Sequence, residues 1–181
     1  MKTVKLFLAV AFFIASASGY AQTEQSIVVM DNINTWEEAI KPFLGKKVYV
    51  DIWATWCAPC IDEFKHNEEL KKILVENDIQ QLYISLDGNV SKEIWESHIK
   101  SYNLTGKHII ANSSVSEKFV LELVGVIFSN KGVPFEKQED MMMDTNIEIS
   151  IPRYVLIDEE GNIMDKRAKR PSQIVAEGKL W

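Results

Sequence analysis

The chain has 181 residues, 46% of them hydrophobic, and a formal net charge of −6. That length suits one domain built around one core, and no internal repeat or low-complexity tract divides it. The acidic balance speaks against nucleic acid and anionic membrane surfaces as partners, because both select for basic patches.

Lys2 and Lys5 open the chain, followed by a ten-residue apolar run over residues 6–15 and small, weakly polar residues over 16–19. Gly19-Tyr20-Ala21 has the small–x–small pattern that signal peptidase accepts, and Ala15-Ser16-Ala17 offers a second site. A bilayer span needs roughly 20 apolar residues. A retained anchor therefore fits less well than a signal peptide over residues 1–21, with a mature domain over 22–181. No cysteine stands near the cleavage site to carry a lipid. Export makes the protein periplasmic or secreted, and removal of the two lysines leaves the mature chain more acidic still.

Ile27-Val28-Val29 has strand composition. Thr35-Trp36-Glu37-Glu38 forms a capping box, opening a short helix that runs to about Phe43 and ends at Gly45. The run Val48-Tyr49-Val50-Asp51-Ile52-Trp53 is apolar at both parities, as in a central strand covered on both faces. Residues 58–76 have helical periodicity, with Ile61, Phe64, Leu70, Ile73 and Leu74 inward. A strand follows over 79–86, then a turn at Asp87-Gly88-Asn89. Ser91 caps a helix whose stripe is Ile94, Trp95, His98, Ile99 and Tyr102. Residues 112–129 are expected to be helical, with Phe119, Leu123, Val124 and Ile127 inward. Strands over 153–158 and 163–166 meet at Glu159-Glu160-Gly161-Asn162, and a short helix follows Pro171. Helices alternating with strands and a terminal hairpin predict an α/β domain with a mixed sheet.

Only two cysteines occur, Cys57 and Cys60. A structural bridge is one reading, but closing so small a loop constrains the unfolded chain little. A zinc site is another, and it would need two further ligands from His66, His98 and His108, without a second cysteine pair. Thiol–disulfide exchange suits the spacing best. It requires an accessible, partly ionised cysteine. Pro59 suits a first helical turn, which places Cys57 at the helix N-terminus, where free amides and the dipole favour a negative sulfur. Cys60 lies one turn deeper on the same face. The expected division is Cys57 as nucleophile and Cys60 as resolving thiol.

Two acids stand near this pair. Asp51 interrupts an apolar strand, where aspartate is disfavoured. It is either a solvated edge residue or, if buried, a proton acceptor for Cys60 with a raised pKa. Glu63 lies one turn beyond Cys60 and either joins the same proton traffic or pairs with a surface lysine. Of the histidines, His98 reads as a core or boundary residue, His66 sits two turns beyond Cys57, and His108 has no identifiable partner.

The segment Val50-Asp51-Ile52-Trp53-Ala54-Thr55-Trp56-Cys57-Ala58-Pro59-Cys60 resembles the active-site segment of the thioredoxin superfamily, in particular the exported TlpA/ResA-like thiol–disulfide oxidoreductases. Asp51 falls where thioredoxin keeps a buried proton-accepting aspartate, and Glu63-Phe64 matches the Cys-x-x-Cys-x-x-Glu-Phe of the TlpA/ResA-like branch. Ile151-Pro152-Arg153-Tyr154 is similar to the family's second landmark. The resemblance implies that Pro152 is cis and that Ile151 and Pro152, with Trp56, Ala58 and Pro59, form the groove that receives a substrate chain. It implies a thioredoxin-like mixed sheet flanked by helices, and a monomer without cofactor or metal beyond the cysteine pair. Expected partners are protein disulfides or dithiols and an upstream periplasmic electron donor, with reduction as the direction, as in the cytochrome-maturation branch. Oxidase, antioxidant and redox-sensing binding-module roles remain alternatives. The likeness covers roughly residues 34–172. Two departures stand out: an insertion at about 130–148, containing Phe135 and Met141-Met142-Met143, before the cis-Pro strand, and a C-terminal helix shorter than the family's.

Overall fold

The computed structural model describes residues 26–88, 90–111, 120 and 150–181. The expected signal segment, the bulk of the expected helix over 112–129 and the insertion at about 130–148 lie outside the described residues.

Six strands form one mixed sheet: β1 (Ile27–Val29), β2 (Lys47–Trp53), β3 (Ile79–Ser85), β4 (Gly106–Ile110), β5 (Arg153–Ile157) and β6 (Ile163–Asp165). Their order is β1-β4-β3-β2-β5-β6. The first four are parallel where they pair, while β5 is antiparallel to both β2 and β6. The apolar run at β2 is central, as its composition predicts, and Val48 through Trp53 are all buried.

Period-2 alternation divides the core between the two faces of the sheet. Val48, Val50 and Ile52 point to one side with Leu82, Ile84, Ile109, Val155 and Ile157. Helix α1 (Trp36–Ile40) and the 3-10 turn Lys41–Phe43 cover this side through Ala39, Ile40 and Phe43. The capping box at Thr35 and Glu38 forms as expected. Gly45 follows with φ +86, a left-handed conformation that glycine adopts without Cβ strain.

Tyr49, Asp51 and Trp53 point to the opposite side. There lie α2 (Ala58–Glu63), α3 (Asn67–Glu76), α4 (Lys92–Ser101) and α5 (Pro171–Glu177), whose Phe64-adjoining turn, Leu70, Leu74, Trp95, Ile99 and Ile174 fill two apolar clusters. The single helix expected over 58–76 is divided by a 3-10 turn at Phe64–His66. The tighter turn lets Phe64 meet Trp53 edge-on at 5.2 Å while Leu70 and Leu74 reach the cluster around Tyr49. No Pro or Gly marks the break, so the periodicity runs through it unbroken. A second correction concerns Ile94, expected inward but 52% exposed. In α4 only Trp95 and Ile99 are buried, a narrower stripe than the one read from the sequence.

Candidate active site

The end of β2 delivers the chain to the two cysteines. Trp53 closes the strand, the Cys57 amide donates to the Ala54 carbonyl at 3.1 Å, and α2 begins at Ala58. Cys57 is the N-cap of α2, and its Sγ accepts from the Cys60 amide at 3.3 Å. This is the helix-terminus environment predicted from Pro59. The two cysteines form a disulfide with their Cα atoms 5.3 Å apart. Cys57 retains 4% exposure against 0% for Cys60. Trp56, Ala58 and Pro59 stand exposed around them.

The Ile151–Pro152 bond is cis. Both residues are half-buried, and Ile151 packs against the cluster containing Cys57 and Cys60. Of the five residues expected to line the groove, Trp56, Ala58 and Pro59 flank the cysteines in sequence, and Ile151 packs on their cluster with Pro152 next to it in the chain.

Asp51 is fully buried, which removes the edge-strand alternative. Its carboxyl oxygens have no hydrogen-bond partner among the described residues. Burial pushes its pKa well above the ordinary carboxylate value, and the Glu63 charge pushes it further. Sheet register places Tyr154 and Tyr83 on either side of Asp51, and His108 beyond Tyr83. This buried polar row was not visible in the sequence, because register and strand order are needed to assemble it. His108 stacks on Tyr83 with ring centroids 4.7 Å apart, and its Nε2 lies 2.7 Å from the Leu104 carbonyl. Burial lowers its pKa to about 4 despite that hydrogen bond. Asn67, at the start of α3, donates to the Tyr83 hydroxyl at 3.3 Å.

Glu63 is buried too, but its partners are not lysines. Its carboxylate accepts from the Ser172 amide at 2.9 Å and the Ser172 hydroxyl at 3.0 Å, with the Arg170 guanidinium 3.9 Å away. It thus ties α2 to the first turn of α5. His98 is a boundary residue whose Nδ1 lies 2.9 Å from the Ile94 carbonyl, and His66 is half-buried at the end of the 3-10 turn. Among the described residues no cluster of His, Cys, Asp or Glu is arranged to hold a metal. A broad groove lined by Lys71, Lys72, Gln81, Asn103 and Lys107 lies at the N-terminal ends of β3 and β4, away from the cysteines.

One acid near the cysteines escaped the sequence reading. Asp87, assigned there only to a turn, is buried and accepts hydrogen bonds from Thr55 and Ser85. The signal that could have found it is its place just past a parallel neighbour of β2, which again requires the strand order.

Similarity to known proteins agrees with this geometry. Over 65 residues the chain is 32% identical to the thiol-disulfide oxidoreductase ResA of Bacillus thuringiensis subsp. konkukian, covering 36% of each protein. Over 61 residues it is 34% identical to ResA of Oceanobacillus iheyensis, covering 34% of this chain and 31% of that one. These matches span only about a third of the curated relatives' length. A Bacteroides vulgatus protein assigned as a thiol-disulfide oxidoreductase, solved in solution, superposes with a TM-score of 0.55 at 26% identity. That superposition covers 78% of this chain and 75% of the other. Tryparedoxin II from C. fasciculata shares the fold, with a TM-score of 0.52 at 18% identity, covering 77% and 74% of the two chains. The family model for Redoxin matches residues 38–177, from α1 through α5. With a thioredoxin-like sheet and a Cys57–Cys60 disulfide at the end of its central strand, this chain belongs to the redoxin family.

Proposed function

We propose that this chain is a thiol–disulfide oxidoreductase that exchanges disulfides with protein partners through Cys57 and Cys60, working as a periplasmic reductase. The observation that carries the reading is the disulfide at the head of α2, where Cys57 Sγ accepts the Cys60 amide and Cys57 is the less deeply buried residue of the pair. In the reduced enzyme the Cys57 thiolate attacks one sulfur of a partner disulfide. That S–S bond breaks, and the other partner sulfur leaves as a thiolate that takes up a proton. Cys60 then passes its proton to Asp51 and attacks the Cys57 sulfur. The mixed disulfide breaks, the second partner thiol is released, and the Cys57–Cys60 disulfide forms. Two electrons move from the cysteine pair to the partner, and an upstream dithiol restores them. Trp56, Ala58, Pro59, Ile151 and Pro152 receive the partner chain. Glu63 adds its charge to the surroundings of Asp51.

The pattern of residues 1–21 supports export, with processing after Ala21 and a mature domain over 22–181. No described helix is long and apolar enough to cross a membrane. The insertion at about 130–148 stands shortly before Pro152 in the sequence, and its methionines suit adaptable contact with partners.

Cys60→Ser tests the mechanism. It removes the resolving thiol, so mixed disulfides with natural partners should accumulate on non-reducing gels and vanish with dithiothreitol. Cys57→Ser should trap nothing comparable. Equal trapping by both variants would overturn the division of roles. If neither traps a partner while the wild type turns over a small thiol substrate, protein disulfides are the wrong substrate class.

A further inference from the structure

β2 and β3 are parallel and in register, with Trp53 opposite Ser85. The ladder continues one step past the strands through the Leu86 amide, which donates to the Trp53 carbonyl at 2.9 Å. The next positions on the two chains, Thr55 and Asp87, are thereby neighbours. Thr55 belongs to the three-residue link between the end of β2 and Cys57.

Asp87 is 1% exposed. One of its oxygens accepts the Thr55 amide at 2.9 Å and the Ser85 hydroxyl. The other accepts the Thr55 amide at 3.1 Å and the Thr55 hydroxyl at 2.7 Å. A carboxylate is an acceptor-only group, and burying one is costly unless donors surround it. Here both donor groups of one loop residue are directed at it. Neither β2 nor α2 supplies Thr55 with an equivalent restraint: its amide lies past the strand ladder and before the helix.

We infer that Asp87 is a positioning residue for thiol–disulfide exchange: it holds Thr55 by amide and hydroxyl, and so fixes the loop that sets Cys57 at the head of α2. The inference rests on Cys57 being the attacking thiol. The Cys57 sulfur meets the Cys60 amide only while that loop keeps its path, and a misplacement of about 1 Å at a reacting group can cost about 100-fold in rate. Thr55 and Asp87 thus act as one unit, with the strand pair β2–β3 as their rigid base.

The test is alkylation of the reduced full chain by iodoacetamide, with the rate at each cysteine followed by peptide mapping from pH 5 to 10. Asp87→Ala and Thr55→Val should each slow labelling of Cys57 at pH 7 by about tenfold and move its pH profile upward. Thr55→Val leaves the Asp87 carboxylate in place, so its effect isolates the strut from the charge. Thr55→Ser, which keeps the hydroxyl, should stay within about twofold of wild type. The double variant should be no slower than Asp87→Ala alone, as expected for residues acting through one contact. Unchanged Cys57 rates and pH profile in both single variants, even with a lowered melting temperature, would overturn the inference and leave Asp87 a purely structural residue. If Asp87→Ala does not fold, the Thr55→Val and Thr55→Ser pair decides between the two. Faster labelling of Cys60 than of Cys57 in the wild type would instead overturn the assignment of the attacking thiol, and the inference with it.

Discussion

Asp51 and His108 occupy the same buried row, yet burial moves their pKa values in opposite directions, because desolvation disfavours whichever form is charged. The raised pKa of Asp51 means that the native state binds a proton the unfolded chain has already released. Its contribution to stability is complete below the unfolded pKa of about 3.9 and is lost as pH rises through the native value. Asp51→Asn should therefore melt higher than wild type near pH 8, by at least the roughly 2 °C that about 1 kcal/mol produces in a chain of this size. The gap should close toward pH 3. The same variant should slow the step in which Cys60 loses its proton, most strongly above the raised pKa of Asp51, where the wild-type carboxylate is free to accept it. Wild-type rates from pH 6 to 8 would make Asp51 a structural residue. His108 has the converse sign. Its native pKa of about 4 lies below the unfolded value, so stability present above pH 6.5 is lost as pH falls toward 4. The loss is on the order of 3 kcal/mol. His108→Phe should flatten that part of the stability curve in denaturant melts; an unchanged slope would mean that His108 does not carry it.

At the scale of elements, the link between α2 and α5 is the least expected contact. Glu63 accepts both donors of Ser172, the second residue of a helix that otherwise packs through Ile174 and the half-buried Val175. Hydrogen bonds to a charged acceptor contribute roughly 1.5–3 kcal/mol each. Ser172→Ala removes the hydroxyl bond and should lower stability by roughly 1.5–3 kcal/mol, with faster amide exchange concentrated in α5. Glu63→Gln should loosen α5 and also relieve the charge beside Asp51. Its effect on exchange should be in the same direction as that of Asp51→Asn but smaller. If amide exchange in α5 is unchanged in both variants, the contact does not hold the helix. The 3-10 turn between α2 and α3 belongs to this scale as well, since it aims Phe64 at Trp53 and the following helix at Tyr49.

For the whole molecule, the direction of electron flow is the outstanding quantity, and Ala58-Pro59 does not encode it by itself. A reductase should have a Cys57–Cys60 potential near the thioredoxin value of about −270 mV, whereas one near about −120 mV marks an oxidase. Equilibration with a dithiothreitol redox buffer measures it directly. Deleting residues 131–146 should change partner choice in trapping experiments more than it changes insulin reduction. A uniform loss of folding and activity would assign the segment to packing instead.

Much of the framework was legible in the chain alone. The run Val48–Trp53 declared a central strand because both parities were apolar, Thr35 and Glu38 declared a helix start, and Cys57-Ala58-Pro59-Cys60 declared a thiol pair at a helix N-terminus. These features depend on residues close in sequence, where local sterics, capping and periodicity decide the outcome. The tertiary structure alone decided what depends on register and strand order. It placed Asp51 between Tyr83 and Tyr154, gave His108 a stacking partner, and turned Glu63 toward Ser172, 109 residues away. It also set Asp87 against Thr55, because parallel strands bring together positions 32 residues apart that no local pattern connects.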